Sequence, residues 1–173
     1  MTYSLREISR ADIAIINKWR NDKELIDLLG NNFLYISDEV DNQWFDHYIK
    51  NRQQAIRLAI LDNETDLLIG TVQLTAIHAV NKSAEFSILI GNKNYWSKGA
   101  GSFSTKAMLT HGFANMNLHR IYLTVLEANT RALTMYAKMG FKQEGIMRES
   151  IFKSGAYHNL ILMSVLNSEF QDK

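Results

Sequence analysis

The stretch from Ser83 to Thr105 limits what this chain can fold into more sharply than its composition does. A β-rich run, Ala84-Glu85-Phe86-Ser87-Ile88-Leu89-Ile90, stops at Gly91, and small residues at Ser97, Gly99, Ala100 and Gly101 lead into a segment with helical spacing. Strand, glycine-containing turn and helix start make, in that order, an anion cradle. The first turn of a helix has backbone N–H groups without intrahelical partners, and the aligned peptide dipoles add partial positive charge there. Glycines ahead of it let the main chain approach a phosphate with no Cβ between them. The stretch predicts a pyrophosphate-binding turn inside an α/β domain.

Two common phosphate motifs do not fit. A dinucleotide fingerprint needs a third glycine, and a P-loop has its lysine after the last glycine, whereas Lys98 precedes Gly99. Other chemistries are excluded by what the chain lacks. It has no cysteine, hence no disulfide, no thiolate metal site and no cysteine nucleophile. No His, Asp and Glu set has metal-ligand spacing, and no serine stands in a nucleophile elbow. The 19 Lys+Arg and 18 Asp+Glu leave a net charge of +1, too even for a nucleic-acid surface. With no signal-like start and no membrane-length apolar run, a cytoplasmic protein with no membrane partner is expected. The 173 residues are read as one domain, 1–173.

Along the chain, Tyr3 to Ile8 is a short strand. Ser9 with Asp12 makes a capping box for a helix whose apolar face is Ile13, Ile16 and Trp19. Leu25, Leu28 and Leu29 continue in a second helical piece that Gly30 ends. Ser37 caps a third helix with Val40, Trp44 and Tyr48 on one face. Ala55 to Leu61 and Leu67 to Ile77 form a hairpin, with Ser83 to Ile90 as the third strand of a meander. From Gly101, Phe103, Ala107, Thr110 and Ala114 have helical period, with Leu109, Phe113 and Met116 beside them. Arg120 to Leu126 is a strand reached by a parallel crossover, and Phe141 to Phe152 with Ala156 to Leu166 is a closing hairpin around Ser154-Gly155. The order predicts a mixed α/β sheet with helices on both faces.

A second segment carries a sharper signal. Asn129 is placed to cap a helix and Gly140 to end it in the left-handed conformation. Asn129, Leu133 and Tyr136, at i, i+4 and i+7, share one stripe of that helix, an amide, an apolar contact and a phenol together.

Read side by side, Trp96-Ser97-Lys98-Gly99-Ala100-Gly101 follows the pattern (Gln, Arg or aromatic)-x-x-Gly-x-(Gly or Ala). Asn129-x-x-Ala132-x-x-x-Tyr136-x-x-x-Gly140-Phe141 is complete and follows it after one strand. With these two signatures the chain resembles the GNAT N-acetyltransferases, in the branch that acetylates ribosomal-protein N-termini, polyamines and amino sugars. The resemblance implies a seven-stranded mixed sheet, about four helices on both faces and a splayed central strand pair. It implies acetyl-CoA as co-substrate and no metal. The N–H groups of Ser97, Lys98, Gly99, Ala100, Gly101 and Ser102, after Trp96, would hold the pyrophosphate. The pantetheine arm would run along Ile88, Leu89 and Ile90, and Asn129 would bond to it. A backbone N–H near Leu89 or Ile90 would polarise the thioester carbonyl, a role worth roughly 3 kcal/mol in other acyl-transfer sites.

Catalysis is assigned by the same resemblance. Tyr136 would give a proton to the leaving sulfur, and Glu85 would help the amine lose its own or hold it as an ammonium. The acceptor is read as a small-molecule amine or an amino sugar, on the Lys18-Trp19-Arg20-Asn21-Asp22 run, with a protein N-terminus as the alternative. The acids Glu24, Asp27, Asp38, Glu39 and Asp41 stand at helix starts, and Asn31-Asn32-Phe33-Leu34 lacks the acidic pattern of the polyamine enzymes. His47, beside Trp44 and Tyr48, is an acceptor-side candidate, whereas His78, His111, His119 and His158 suit structural roles. A homodimer is among the expectations. The competing class is a non-catalytic acyl-CoA-binding module, and the presence of Tyr136, Gly99 and Gly101 favours an enzyme.

Overall fold

The computed structural model describes residues 2–170. Seven strands form one sheet, and their lengths and turns follow the alternating patterns of the chain. They are β1 (Tyr3–Glu7), β2 (Ile56–Asp62), β3 (Leu67–His78), β4 (Ser83–Leu89), β5 (Arg120–Leu126), β6 (Lys142–Lys153) and β7 (Ala156–Leu166). The helices are α1 (Ile13–Arg20), α2 (Lys23–Asp27), α3 (Asp38–Lys50), α4 (Ala100–Thr110) and α5 (Thr130–Lys138), five where about four are expected. The sheet order is β1-β2-β3-β4-β5-β7-β6, and among the described residues β4 with β5 is the only parallel pair. A parallel neighbour needs a crossover, which α4 supplies.

That parallel pair opens. Ser83, Ala84 and Glu85 pair with Arg120, Ile121 and Tyr122, and no pairing follows. From Phe86 onwards β4 is bonded to β3 alone, so its other edge lies along a gap. The gap is held open from one side by aromatic packing: Phe86, Tyr136 and Phe141 meet at centroid distances of 5.6 to 6.1 Å, two of the three pairs edge to face. Such pairs add about 1 kcal/mol each beyond their burial.

The two faces have separate cores. Ile13, Ile16, Trp19, Leu25, Phe45 and Tyr48 from α1–α3 pack with Ala55, Ala59 and Leu89 on one face. Ala100, Met108 and Leu109 of α4 and Tyr136 of α5 join Val72, Leu74, Phe86, Ile121 and Leu123 on the other. Three expected details are corrected. In α3 the buried positions are Asp41, Phe45 and Tyr48, while Val40 is exposed, because the inward stripe starts at Asp41, which Asn17 and Arg20 bind from α1. In α4 the inner face is Ala100, Ser104, Thr105, Met108 and Leu109, leaving Phe103 outward, and Ala114 is exposed in the π-helical turn His111–Asn115 that follows. Helix α2 ends at Asp27, and Gly30 has no left-handed backbone but packs beside Leu160 and Thr124.

Candidate active site

The gap between β4 and β5 continues into a cleft of about 960 Å³. Its lower end is the cradle. Gly99 caps α4 with φ +89, and Ser97 also has positive φ at 60, so the chain turns back on either side of Lys98 and brings the start of α4 to the cleft. No atom lies within 4 Å of a Cβ built on Gly99, so conformation and not space demands glycine there. The first helical amide with a partner is that of Phe103, which donates to Gly99 O at 3.0 Å. The N–H groups of Gly99, Ala100, Gly101 and Ser102 have no acceptor among the described residues. Ser97, Gly99, Gly101 and Ser102 line the cleft. Lys98 and Ala100 are set apart: the Lys98 N–H turns to Tyr95 O at 3.4 Å, and Ala100 is 1% exposed in the core.

The cradle has a braced wall. Trp96 Nε1 donates to Ile90 O at 2.8 Å, and the Arg131 guanidinium lies 4.6 Å above the Trp96 ring. Arg131 thereby brings a cation to the rim where an anion would sit. Underneath, Gly91 lies flat against Trp19, and a Cβ there would overlap the indole. The donor set, a helix start, a left-handed glycine and one arginine, suits a diphosphate.

The cleft is also lined by Ile88 and Leu89 at the unpaired edge of β4, by Ile90 just after it, and by Tyr136 of α5. Tyr136 is 7% exposed, and burial pushes its phenol well above the usual tyrosine value. The phenol therefore keeps its proton at any ordinary pH. Asn129 also lines the cleft, but both ends of its amide are engaged: Oδ1 accepts from Ala132 N at 3.1 Å, and Nδ2 donates to Leu28 O at 2.8 Å. It caps α5 and ties it to the end of α2. Lys153 fixes the same loop from the hairpin, its buried Nζ donating to Ile26 O, Leu29 O and Asn31 O at 2.6 to 2.8 Å.

The upper end is built from side chains of the sheet and of α1 and α3. Glu85 and Ser87 stand on one face of β4, and Arg57, Gln73 and Ser87 form a row across β2, β3 and β4. Arg57 Nη1 donates to Gln73 Oε1, and Gln73 Nε2 donates to Ser87 Oγ at 2.7 Å. Trp44 covers the row, its ring 4.9 Å from the Arg57 guanidinium. Glu85 is the one carboxylate among the lining residues.

The Trp19-Arg20-Asn21 run has other partners. Trp19 is core, Arg20 is ion-paired with the fully buried Asp41, and Asn21 bonds both Ile36 N and Ile36 O. Asp22 caps α2 and pairs with Lys93. His47 is exposed on α3, away from the cleft. Arg57, Gln73 and Arg131 also line the cleft and are not among the residues expected from the sequence. A signal existed for the first, an arginine alternating with Ala55 and Ala59 in a strand, where a charge on an inward face needs a reason.

A sheet parting between two parallel strands, with a helix start at one end of the gap and a protonated phenol across it, defines a coenzyme A-dependent acyltransferase. The chain belongs to the acetyltransferase (GNAT) family, whose domain model matches residues 3–142. It is an N-acetyltransferase that uses acetyl-CoA. It is 29% identical over 170 residues to the spermidine N(1)-acetyltransferase of Vibrio cholerae, covering 98% of this chain and 96% of that one. The Escherichia coli K12 spermidine N(1)-acetyltransferase is 28% identical over 170 residues, 96% and 87% of the two chains. A crystal structure of the Vibrio cholerae spermidine N-acetyltransferase with CoA and spermine superposes with a TM-score of 0.91, at 29% identity and over 96% of each chain. Among the described residues no helix is long and apolar enough to cross a membrane, and no three side chains are grouped to hold a metal.

Proposed function

We propose that the protein acetylates the primary amine of a small molecule by direct attack of the amine on the acetyl thioester. The observation that carries the reading is the continuity of one cleft from the cradle, past the unpaired edge of β4 and Tyr136, to Glu85. The free amides of Gly99, Gly101 and Ser102, with Arg131, hold the diphosphate, and the β4 edge holds the pantetheine arm as an added strand. Asn129 contributes through its side-chain ties, which shape the wall. Glu85 draws the acceptor ammonium to the thioester and takes its proton, directly or through water. An N–H near Leu89 or Ile90 stabilises the negative charge on the carbonyl oxygen as the C–N bond forms. Tyr136 gives its proton to the sulfur as the C–S bond breaks, and its burial keeps it in the protonated form that donation requires.

Two acceptor readings are supported by different observations. A polyamine is favoured by the Vibrio cholerae and Escherichia coli relatives. An amino sugar is favoured by the composition of the upper cleft, where one carboxylate stands for the several that a polycation needs. Release of free CoA from acetyl-CoA, measured with spermidine, a free and a nucleotide-linked amino sugar, and a peptide with a free N-terminus, tests the proposal. Turnover with a small amine supports it. Turnover with the peptide alone, or coenzyme binding with no turnover on any acceptor, overturns it.

A further inference from the structure

One positive charge in the upper cleft has no counter-ion among the described residues. Arg57 lies between Ala55 and Ala59 on the inward face of β2, and these two are 8% and 0% exposed. Its Nη1 is bonded to the neutral Gln73, and its Nε is buried with no acceptor. The groups facing it are the Trp44 ring at 4.9 Å, the Tyr48 ring at 5.7 Å and the cationic Arg20. Arg6, Arg10, Arg20, Arg52 and Arg120, by contrast, each meet a carboxylate. The nearby Asp41 is occupied by Arg20 and by Asn17, whose Nδ2 donates to it at 2.7 Å.

A half-buried guanidinium without an anion is costly, and burial lowers the Arg57 pKa accordingly. The cost is recovered where a ligand brings the negative charge. The planar fork of arginine matches a phosphate or a carboxylate by two parallel hydrogen bonds. We propose that Arg57 receives an anionic group, phosphate or carboxylate, carried by the amine acceptor itself. The inference rests on the acetyltransferase reading above and narrows its acceptor to a molecule with an amine for Glu85 and an anion for Arg57. The register puts Arg57 opposite Gln73, Gln73 opposite Ser87, and Glu85 two residues before Ser87 on the same face. Strand spacings then set the Arg57 and Glu85 Cα atoms roughly 12 Å apart. Allowing for two side chains, a phosphorylated amino sugar or an ω-amino acid bridges the span. A polyamine would set a second cation beside an unneutralised one.

The test compares matched acceptors on the wild-type enzyme: glucosamine with glucosamine 6-phosphate, a nucleotide-linked amino sugar with its free sugar, 5-aminopentanoate with 5-aminopentanol, and spermidine. The anionic member of at least one pair is expected to have a kcat/KM about tenfold or more above its neutral partner and above spermidine, and the pair that responds tells phosphate from carboxylate. Arg57→Gln is expected to lower kcat/KM for that acceptor about 100-fold and for its neutral partner under about threefold, with the KM for acetyl-CoA unchanged. Spermidine outperforming every anionic amine overturns the inference and leaves the acetyltransferase reading standing. Coenzyme binding without turnover on any member overturns that reading instead. Should Arg57→Gln fail to fold, the matched pairs on the wild type decide alone.

Discussion

The two ends of the cleft are made of different material. The cradle is main chain, four amides without partners after a left-handed glycine, braced by Trp96 and Trp19. The upper end is side chain, with Arg57, Gln73, Ser87, Glu85 and Trp44 brought from four elements. A ligand that every member of a fold shares can be held by backbone, which substitution of side chains does not remove. A ligand that varies must be held by groups that can vary, and these cost more to arrange because each must be ordered and desolvated. The difference therefore divides the molecule into a general half and a particular half.

The largest expected effect falls where the halves meet. Tyr136→Phe should lower kcat about 100-fold with the KM for acetyl-CoA kept, since only the proton donor is removed. Steady-state kinetics with both substrates varied checks it, and an unchanged kcat retires Tyr136 as the acid. Because burial raises the phenol pKa, Tyr136 should add no limb to the wild-type pH–rate profile between about pH 6 and 10. Glu85→Gln should raise the acceptor KM about tenfold and leave the acetyl-CoA KM alone, as loss of a charge partner at the particular end requires. A shift in the acetyl-CoA KM of the same size would break the division.

Smaller effects sharpen it. Gly99→Val puts a β-branched residue at φ +89, a strain of about 1–2 kcal/mol, and is expected to appear as a several-fold higher acetyl-CoA KM. Ser102→Ala keeps the N–H and removes only a hydroxyl, so the same KM should stay within about twofold. A large loss from Ser102→Ala with none from Gly99→Val would mean that side chains, not main chain, bind at the cradle. Asn129→Ala should lower stability by about 1 kcal/mol through its lost cap, read as a lower urea midpoint.

How much of this was legible follows the same division. The cradle and the α5 segment could be read because their geometry is local: a cap, a left-handed glycine and an i, i+4, i+7 stripe are set by residues within two turns of each other. The β4–β5 order followed from one parallel crossover. The faces of α3 and α4 were misread because apolar periodicity alone did not say that Asp41 is buried by Arg20 and Asn17, or that small Ser104 and Thr105 face inward beside the sheet. Trp19-Arg20-Asn21 read as an acceptor signal and is largely a structural clasp on Gly91, Asp41 and Ile36.

The amino-acid sequence by itself determined the strand, turn and helix start that would hold a diphosphate, and the phenol-bearing helix after it, because both are encoded within short windows. Only the tertiary structure decided that Arg57 stands without an anion and that Glu85 shares its face. Those positions are 28 residues apart and meet through the register of three strands, so no local pattern contains their juxtaposition.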